Sequence, residues 1–209
     1  MGNIIFIRHG ESMGNIDSQN YSLPDSAVCL TTTGVYQAVA CGKYIKTWGK
    51  THGLSRVHAF CSEFTRAQQT AKIVCDLLGH TGNITITPYL NERHYGTGKP
   101  EGNHTRDDLH SDWYARPVNG ESLEMAGKRL ETWFDREATP LSESGVVIVF
   151  THGQVMKYIM TRFMGIHHDA IKPPKVPSKN ACPYIMGDYT EGHTILTLPK
   201  YQEALDRII

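Results

Sequence analysis

Ile4-Ile5-Phe6-Ile7-Arg8-His9-Gly10 and Val146-Val147-Ile148-Val149-Phe150-Thr151-His152-Gly153 are the two stretches that decide the fold. Each is a short apolar run of the kind that forms a strand covered on both faces, and each stops abruptly at a histidine and a glycine. The first run, Asn3 to Ile7, is read as the first strand. Two such strands in one sheet bring two imidazoles to the same carboxyl edge.

Working outward, Val35, Ala38, Val39, Gly42 and Ile45 recur at three and four after Thr32, the period of a helix with one buried face, with Thr31 or Thr32 as its cap. Val57 to Phe60 is a second buried strand. Ala67, Ala71, Val74, Leu77 and Leu78 follow at helical spacing until Gly79. Ile84 to Thr87 reads as a third strand before Pro88, and Leu123, Ala126, Leu130, Trp133 and Phe134 mark a helix starting at Ser122. After Val146–Phe150, a stripe of Val155, Met156, Ile159, Met160 and Phe163 predicts another helix. Tyr184–Met186 and Thr194–Leu198 predict two late strands joined by a turn over 187–192.

Strands alternating with helices predict an α/β fold: a three-layer, doubly wound, mainly parallel sheet with helices on both faces. Such sheets bind ligands beyond the carboxyl ends of their strands. Residues 1–209 are expected to form one domain. Two connections exceed ordinary loop length, Gly10–Leu30 and Tyr89–Glu121, and both are expected to wall the site, with a lid or insert over about 89–121.

Composition narrows the function. Lys plus Arg and Asp plus Glu each number 21, so no basic excess exists to neutralise a nucleic-acid backbone or an anionic membrane. Met1-Gly2-Asn3 leads straight into the apolar run without a cationic leader, and Phe6 stands where a myristoylation motif wants Ser or Thr. Cys29, Cys41, Cys61, Cys75 and Cys182 form an odd set without C-x-x-C spacing, as reduced thiols of a cytoplasmic protein would. Neither nucleic acid nor membrane is an expected partner, and no metal or cofactor is expected.

Two further segments sit at the ligand edge. Cys61-Ser62-Glu63-Phe64-Thr65-Arg66 leaves the second strand and sets Arg66 in the first turn of a helix, where free backbone N–H groups and the helix dipole favour oxyanions. Asn91-Glu92-Arg93-His94-Tyr95-Gly96 follows the third strand and holds a single carboxylate, Glu92. A cysteine-phosphatase reading of Cys61–Arg66 fails, because the spacing is one residue short and the loop lacks glycine. Gly96-Thr97-Gly98-Lys99 lacks the spacing of a P-loop. His167-His168-Asp169 and the His104, Asp107, Asp108, His110 group have no metal-ligand spacing, and Pro173 to Pro177 is an extended connector.

Taken in order, Arg8-His9-Gly10-Glu11 with Asn15, Leu30-Thr31 with Gly34 and Gln37-Ala38, Ser62 with Arg66 and Gln69-Thr70-Ala71, Glu92, Gly120-Glu121-Ser122 and His152-Gly153 resemble the histidine phosphatase superfamily. The branch is that of phosphoglycerate mutases and small phosphatases. The resemblance implies a phosphoglycerate mutase-like fold and transfer of a phosphoryl group to His9. A neutral imidazole can attack phosphorus, since its unperturbed pKa is near 6.5. Arg8, Arg66 and His152 would then hold the transferring group, with Glu92 as proton donor and acceptor. Asn15, Gly153, Arg93 and Lys99 are expected to bind substrate, and Glu11 to give local support, such as orienting an arginine.

The reading that follows is a phosphatase hydrolysing phosphate monoesters of small phosphorylated compounds. A cofactor-dependent phosphoglycerate mutase is the alternative, and a non-catalytic phospholigand-binding protein the third. Leu90 to Gly96 is mutase-like. Against the mutase, the span from Gly96 to Gly120 is short and has no adjacent arginine pair, Gln154-Val155 replaces the usual Asn-Ser, and little chain follows the last strand.

Overall fold

The computed structural model describes residues 4–17, 24–54, 56–163, 179–186 and 195–197. The elements in chain order are β1 (Ile4–Arg8), α1 (Met13–Ile16), α2 (Thr32–His52), β2 (Val57–Cys61), α3 (Thr65–Leu78), β3 (Ile84–Ile86), α4 (Asp108–Ser111), α5 (Leu123–Trp133), α6 (Thr139–Ser142), β4 (Val146–Thr151), α7 (Gly153–Phe163), β5 (Pro183–Met186) and β6 (Ile195–Thr197). The six strands make one sheet in the order β3-β2-β4-β1-β5-β6. The first four are parallel, and β5 and β6 each run antiparallel to the preceding strand in that order.

The helix boundaries follow local chemistry. Thr31 caps α2 by accepting from the Gly34 N–H, and Ser122 caps α5 by accepting from the Met125 N–H. Gly53 and Gly79 end α2 and α3 at φ +71°, a left-handed conformation that costs glycine nothing. Past α5 the helix widens into a π turn over Phe134–Ala138, next to Pro140, which has no N–H for the Arg136 carbonyl.

β1 and β4 are buried along nearly their whole length because helices cover both faces. Phe60 meets Trp133 of α5 edge-on at 5.2 Å, and Phe6 stacks on Phe134 at 6.4 Å. Next to Phe60, Cys61 faces the other way, toward Cys75 of α3. On that side α2 packs on α3, and a Cβ at Gly42 would lie 2.8 Å from Leu77 Cδ1.

Two expectations shift. Val35 is 39% exposed and Val39 half-buried, whereas Ala38, Gly42 and Ile45 are buried as expected, together with Gly34, Ala40, Cys41 and Gly49. The third strand stops at Ile86, since Pro88 opens a 3-10 turn. Asn3, the turn over 187–192, His167-His168-Asp169 and the stretch 173–177 lie outside the described residues. Among the described residues no helix is long and apolar enough to cross a membrane. All five cysteines are free, and only Cys29 is exposed.

Candidate active site

Strand register builds the site. Ile7 pairs with Phe150 and Arg8 with Thr151, so the next residues on the two strands, His9 and His152, emerge side by side. Their ring centroids lie 5.2 Å apart. β2 flanks β4 on the other side, with Cys61 opposite Phe150, and delivers Ser62 and then Arg66 to the same edge. β3 flanks β2 and is followed by Glu92.

His9 is 3% exposed and its ring is held from both ends. Nδ1 lies 2.7 Å from the Gly10 carbonyl, which can only accept, so Nδ1 carries the proton. The lone pair is therefore on Nε2, where Arg66 Nε donates at 3.3 Å. Burial first, then the Arg66 and Arg8 charges, lower the His9 pKa from 6.5 to about 3. The ring is neutral, with a nucleophilic nitrogen directed at an arginine.

The loop behind His9 is tied in place. The Gly10 N–H donates to Thr70 Oγ1 at 3.0 Å, the Glu11 N–H to Gln37 Oε1 at 2.8 Å, and the Leu30 N–H to Gln69 Oε1 at 2.8 Å. A Cβ at Gly10 would sit 2.4 Å from the Gly34 carbonyl oxygen, so loop and α2 meet backbone to backbone. Among the described residues Glu11 meets no arginine; its Oε1 accepts from the Thr31 hydroxyl at 2.8 Å and holds the start of α2.

Arg66 is 2% exposed, with its guanidinium 5.0 Å over the Phe64 ring. Its Nη1 donates to Asp25 twice, to Oδ1 at 2.8 Å and to the carbonyl at 2.7 Å. Glu92 Oε1 accepts from the Arg93 N–H at 2.9 Å and Oε2 from the Gln154 N–H at 3.4 Å. Burial nonetheless raises its pKa above the usual carboxylate value, outweighing those bonds and the two arginines.

A cavity of about 560 Å³ opens over these groups, and Arg8, His9, Asn15, Arg66, Glu92 and Arg93 are among its walls. His152 is fully buried beside it, with Gly153 starting α7. A second, smaller cavity, of about 470 Å³, lies between α3 and β3 and includes none of these residues. Lys99 is exposed and is not among the residues that line the cavity. Arg93 borders the cavity, but its guanidinium is spent on the carbonyls of Glu121, Leu109 and Ala115, tying the 91–122 segment together. Trp113 is fully buried in the core, whereas Tyr114 is 58% exposed.

Several participants escaped the sequence reading. Asp25 lies in a 3-10 turn within the long segment after β1, and nothing in the local sequence pairs it with Arg66. Asn180 Nδ2 donates to the His9 carbonyl at 3.3 Å and to Asn15 Oδ1 at 3.1 Å, across a separation of more than 160 residues. Arg129 donates to the carbonyls of Pro88, Tyr89 and Asn91 and to both oxygens of Glu121, clamping the turn that carries Glu92.

The model of the histidine phosphatase superfamily (branch 1) matches residues 4–200. A 2,3-bisphosphoglycerate-dependent phosphoglycerate mutase of Allorhizobium ampelinum is 31% identical over 175 residues, covering 76% of this chain and 78% of the relative. The adenosylcobalamin/alpha-ribazole phosphatase of Escherichia coli is also 31% identical, over 176 residues, covering 79% and 80%. Among solved structures, a putative alpha-ribazole-5'-P phosphatase from E. coli superposes with a TM-score of 0.67 at 26% identity, covering 94% of this chain and 95% of that one. A mycobacterial glucosyl-3-phosphoglycerate phosphatase gives 0.70 at 15% identity, covering 94% and 98%, which bears on the fold alone. Both the ordered motifs and the sheet edge that gathers them have the same explanation: this chain belongs to the histidine phosphatase superfamily, branch 1.

Proposed function

We propose that the protein hydrolyses phosphate monoesters of small compounds through a phosphohistidine on His9. The observation that carries this reading is the orientation of the His9 ring: Nδ1–H is held by the Gly10 carbonyl, and the Nε2 lone pair faces the cavity arginine. The hydrogen bond on Nδ1 then stabilises the positive charge the ring acquires as Nε2 bonds to phosphorus.

In the first half-reaction the Nε2–P bond forms as the P–O ester bond breaks, and the departing alkoxide takes a proton from the Glu92 carboxyl. A raised pKa suits that donor. In the second, a water gives its proton to the Glu92 carboxylate and attacks phosphorus, the N–P bond breaks, and phosphate leaves. Arg8 and Arg66 offset charge on the phosphoryl oxygens, the part that a divalent ion plays in other phosphoryl-transfer sites. Residues 1–209 act as one domain, with the segment about 89–121 as its lid, and the working environment is the cytoplasm.

The mutase reading keeps its weight from relatives, since a mutase and a phosphatase are equally identical to this chain. What favours hydrolysis is the cation supply of the 89–121 segment. Arg93 is committed to carbonyls, Arg116 pairs with Glu101, and Arg106 and Lys99 are exposed. A mutase must clamp a doubly anionic intermediate away from water.

The test is rapid quench with a labelled phosphate ester. An acid-labile, alkali-stable label should map to the His9 peptide and vanish in His9→Ala; label kept by that variant refutes the assignment. Exhaustive EDTA treatment should leave turnover intact. With 3-phosphoglycerate and a trace of 2,3-bisphosphoglycerate, phosphate release should outrun isomerisation, and the reverse establishes the mutase.

A further inference from the structure

The second histidine is held by a chain of hydrogen bonds whose directions can be assigned one by one. The Glu63 backbone N–H donates to Asn91 Oδ1 at 2.9 Å, which makes that oxygen the acceptor end of the amide. Its other end agrees, since Asn91 Nδ2 donates to Glu63 Oε2 at 2.7 Å. Ser62 Oγ, 2.9 Å from the same Oδ1, must therefore give it the hydroxyl proton. Oγ also accepts from the Phe64 N–H at 3.1 Å. With its only proton committed, Ser62 can only accept from His152, whose Nε2 lies 2.7 Å away. Nε2 is thus the protonated nitrogen of a neutral ring, and the lone pair is on Nδ1. Among the described residues that buried Nδ1 has no hydrogen-bond partner.

The unprotonated oxygens of a phosphomonoester dianion are acceptors and so is this Nδ1, so the two cannot bond as they stand. We infer that Asn91 and Ser62 are positioning residues that fix His152 as the Nε2–H tautomer, so that a phosphoryl dianion binding beside it draws a proton onto Nδ1. The proton comes from solvent, forms the Nδ1–H bond, and is donated to a phosphoryl oxygen. This rests on the reading of the cavity as a phosphoryl site.

The charges around the ring set the direction. His9 and Arg8 at the end of β1, Arg66 on α3 and Arg129 on α5 surround it, and burial plus these groups keep the His152 ring neutral. Glu92, bonded to the Gln154 N–H, is the nearby carboxyl and tends to keep its own proton. A dianion among four cationic or neutral groups reverses the balance. Its affinity is then linked to pH, falling by about tenfold per unit as protons become scarce.

The experiment uses the full chain labelled with ¹⁵N-histidine, with the His152 signals assigned by their loss in His152→Gln. In the free protein Nε2 should be protonated and Nδ1 not, across the neutral range. Saturating inorganic phosphate should shift the His9 ring and protonate His152 on both nitrogens. Asn91→Leu releases the Ser62 hydroxyl to donate to Nε2; it should switch the free ring to Nδ1–H and lower the proton uptake on phosphate binding by about one. Asn91→Asp, which keeps the acceptor oxygen, should retain the original tautomer. Should Asn91→Leu not fold, Ser62→Ala removes the same constraint and should give a mixture of tautomers.

A free protein with Nδ1–H overturns the relay. If phosphate shifts His9 while His152 Nδ1 stays unprotonated, the proton uptake is wrong and the phosphoryl site stands. If phosphate moves neither ring, both fall.

Discussion

Asp25 holds one arm of the Arg66 guanidinium, accepting from Nη1 through Oδ1 at 2.8 Å, while Nε of the same group donates to His9 Nε2 at 3.3 Å. The arginine is pulled from two sides, and among the described residues only its Nη2 is left for the cavity. Asp25 has 38% side-chain exposure and also lines the cavity, so its charge is partly screened but still repels a phosphoryl anion.

Asp25→Asn keeps the acceptor oxygen and removes that charge. Inorganic phosphate should then inhibit a few-fold more strongly, while kcat falls as Arg66 loses its charged anchor. Inhibition constants for phosphate, measured beside kcat, separate the two effects. Weaker phosphate inhibition would contradict this account of Asp25.

Glu92→Gln should slow hydrolysis of alkyl phosphates by about 10²-fold or more, and of an activated aryl phosphate much less, because an aryl oxide departs without a proton. The pH dependence follows from the raised carboxyl. The acid form is the donor, so the alkyl rate should decline as pH rises through the elevated pKa, and that limb should shrink in Glu92→Gln. Equal losses on both substrates would move the proton donor elsewhere.

Folding stability carries the histidine signature with the opposite pH direction. His9 titrates near 6.5 when unfolded and at about 3 when folded, so below 6.5 the unfolded chain binds the proton that the native site refuses. The contribution is fully present above 6.5 and is lost as pH falls toward about 3. His152, also lowered, adds in the same direction. Denaturation midpoints across that range should fall more gently for His9→Asn than for the native chain; parallel slopes would show that His9 is not held neutral by the fold.

Arg129→Lys tests the clamp on the Glu92 turn. A lysine cannot reach three carbonyls and a carboxylate with one ammonium, so stability should drop by about 2 kcal/mol and kcat should fall with it. Urea midpoints alongside the alkyl-phosphate assay provide the measure. A variant as stable and active as the parent would show that the turn holds itself.

Gly10→Ala brings a methyl group to 2.4 Å from the Gly34 carbonyl oxygen, and neither backbone can yield without moving His9. A loss of about 2 kcal/mol and most of the activity is expected. Full activity in this variant would mean that the His9 loop tolerates displacement.

How much of this was legible beforehand depends on how far each feature reaches along the chain. Apolar runs fixed the positions of β1, β2 and β4, and caps at Thr31, Ser122 and Gly79 bounded the helices, because these signals act within a few residues. Strand ends marked His9, Arg66, His152 and Glu92 as candidates for the same reason. The order β3-β2-β4-β1 came only with the assembled sheet, and it makes His9 and His152 neighbours although 142 residues intervene. Tertiary contact likewise decided that Gln37, Gln69 and Thr70 tie down the His9 loop, that Asp25 anchors Arg66, and that Arg93 and Trp113 belong to the frame. It also decided the tautomers, since a ring nitrogen's proton is assigned by the group opposite it, and for His152 that group is a serine 90 residues away. Residue type and periodicity are properties of the chain; partner identity and hydrogen-bond direction exist only once distant segments share a surface.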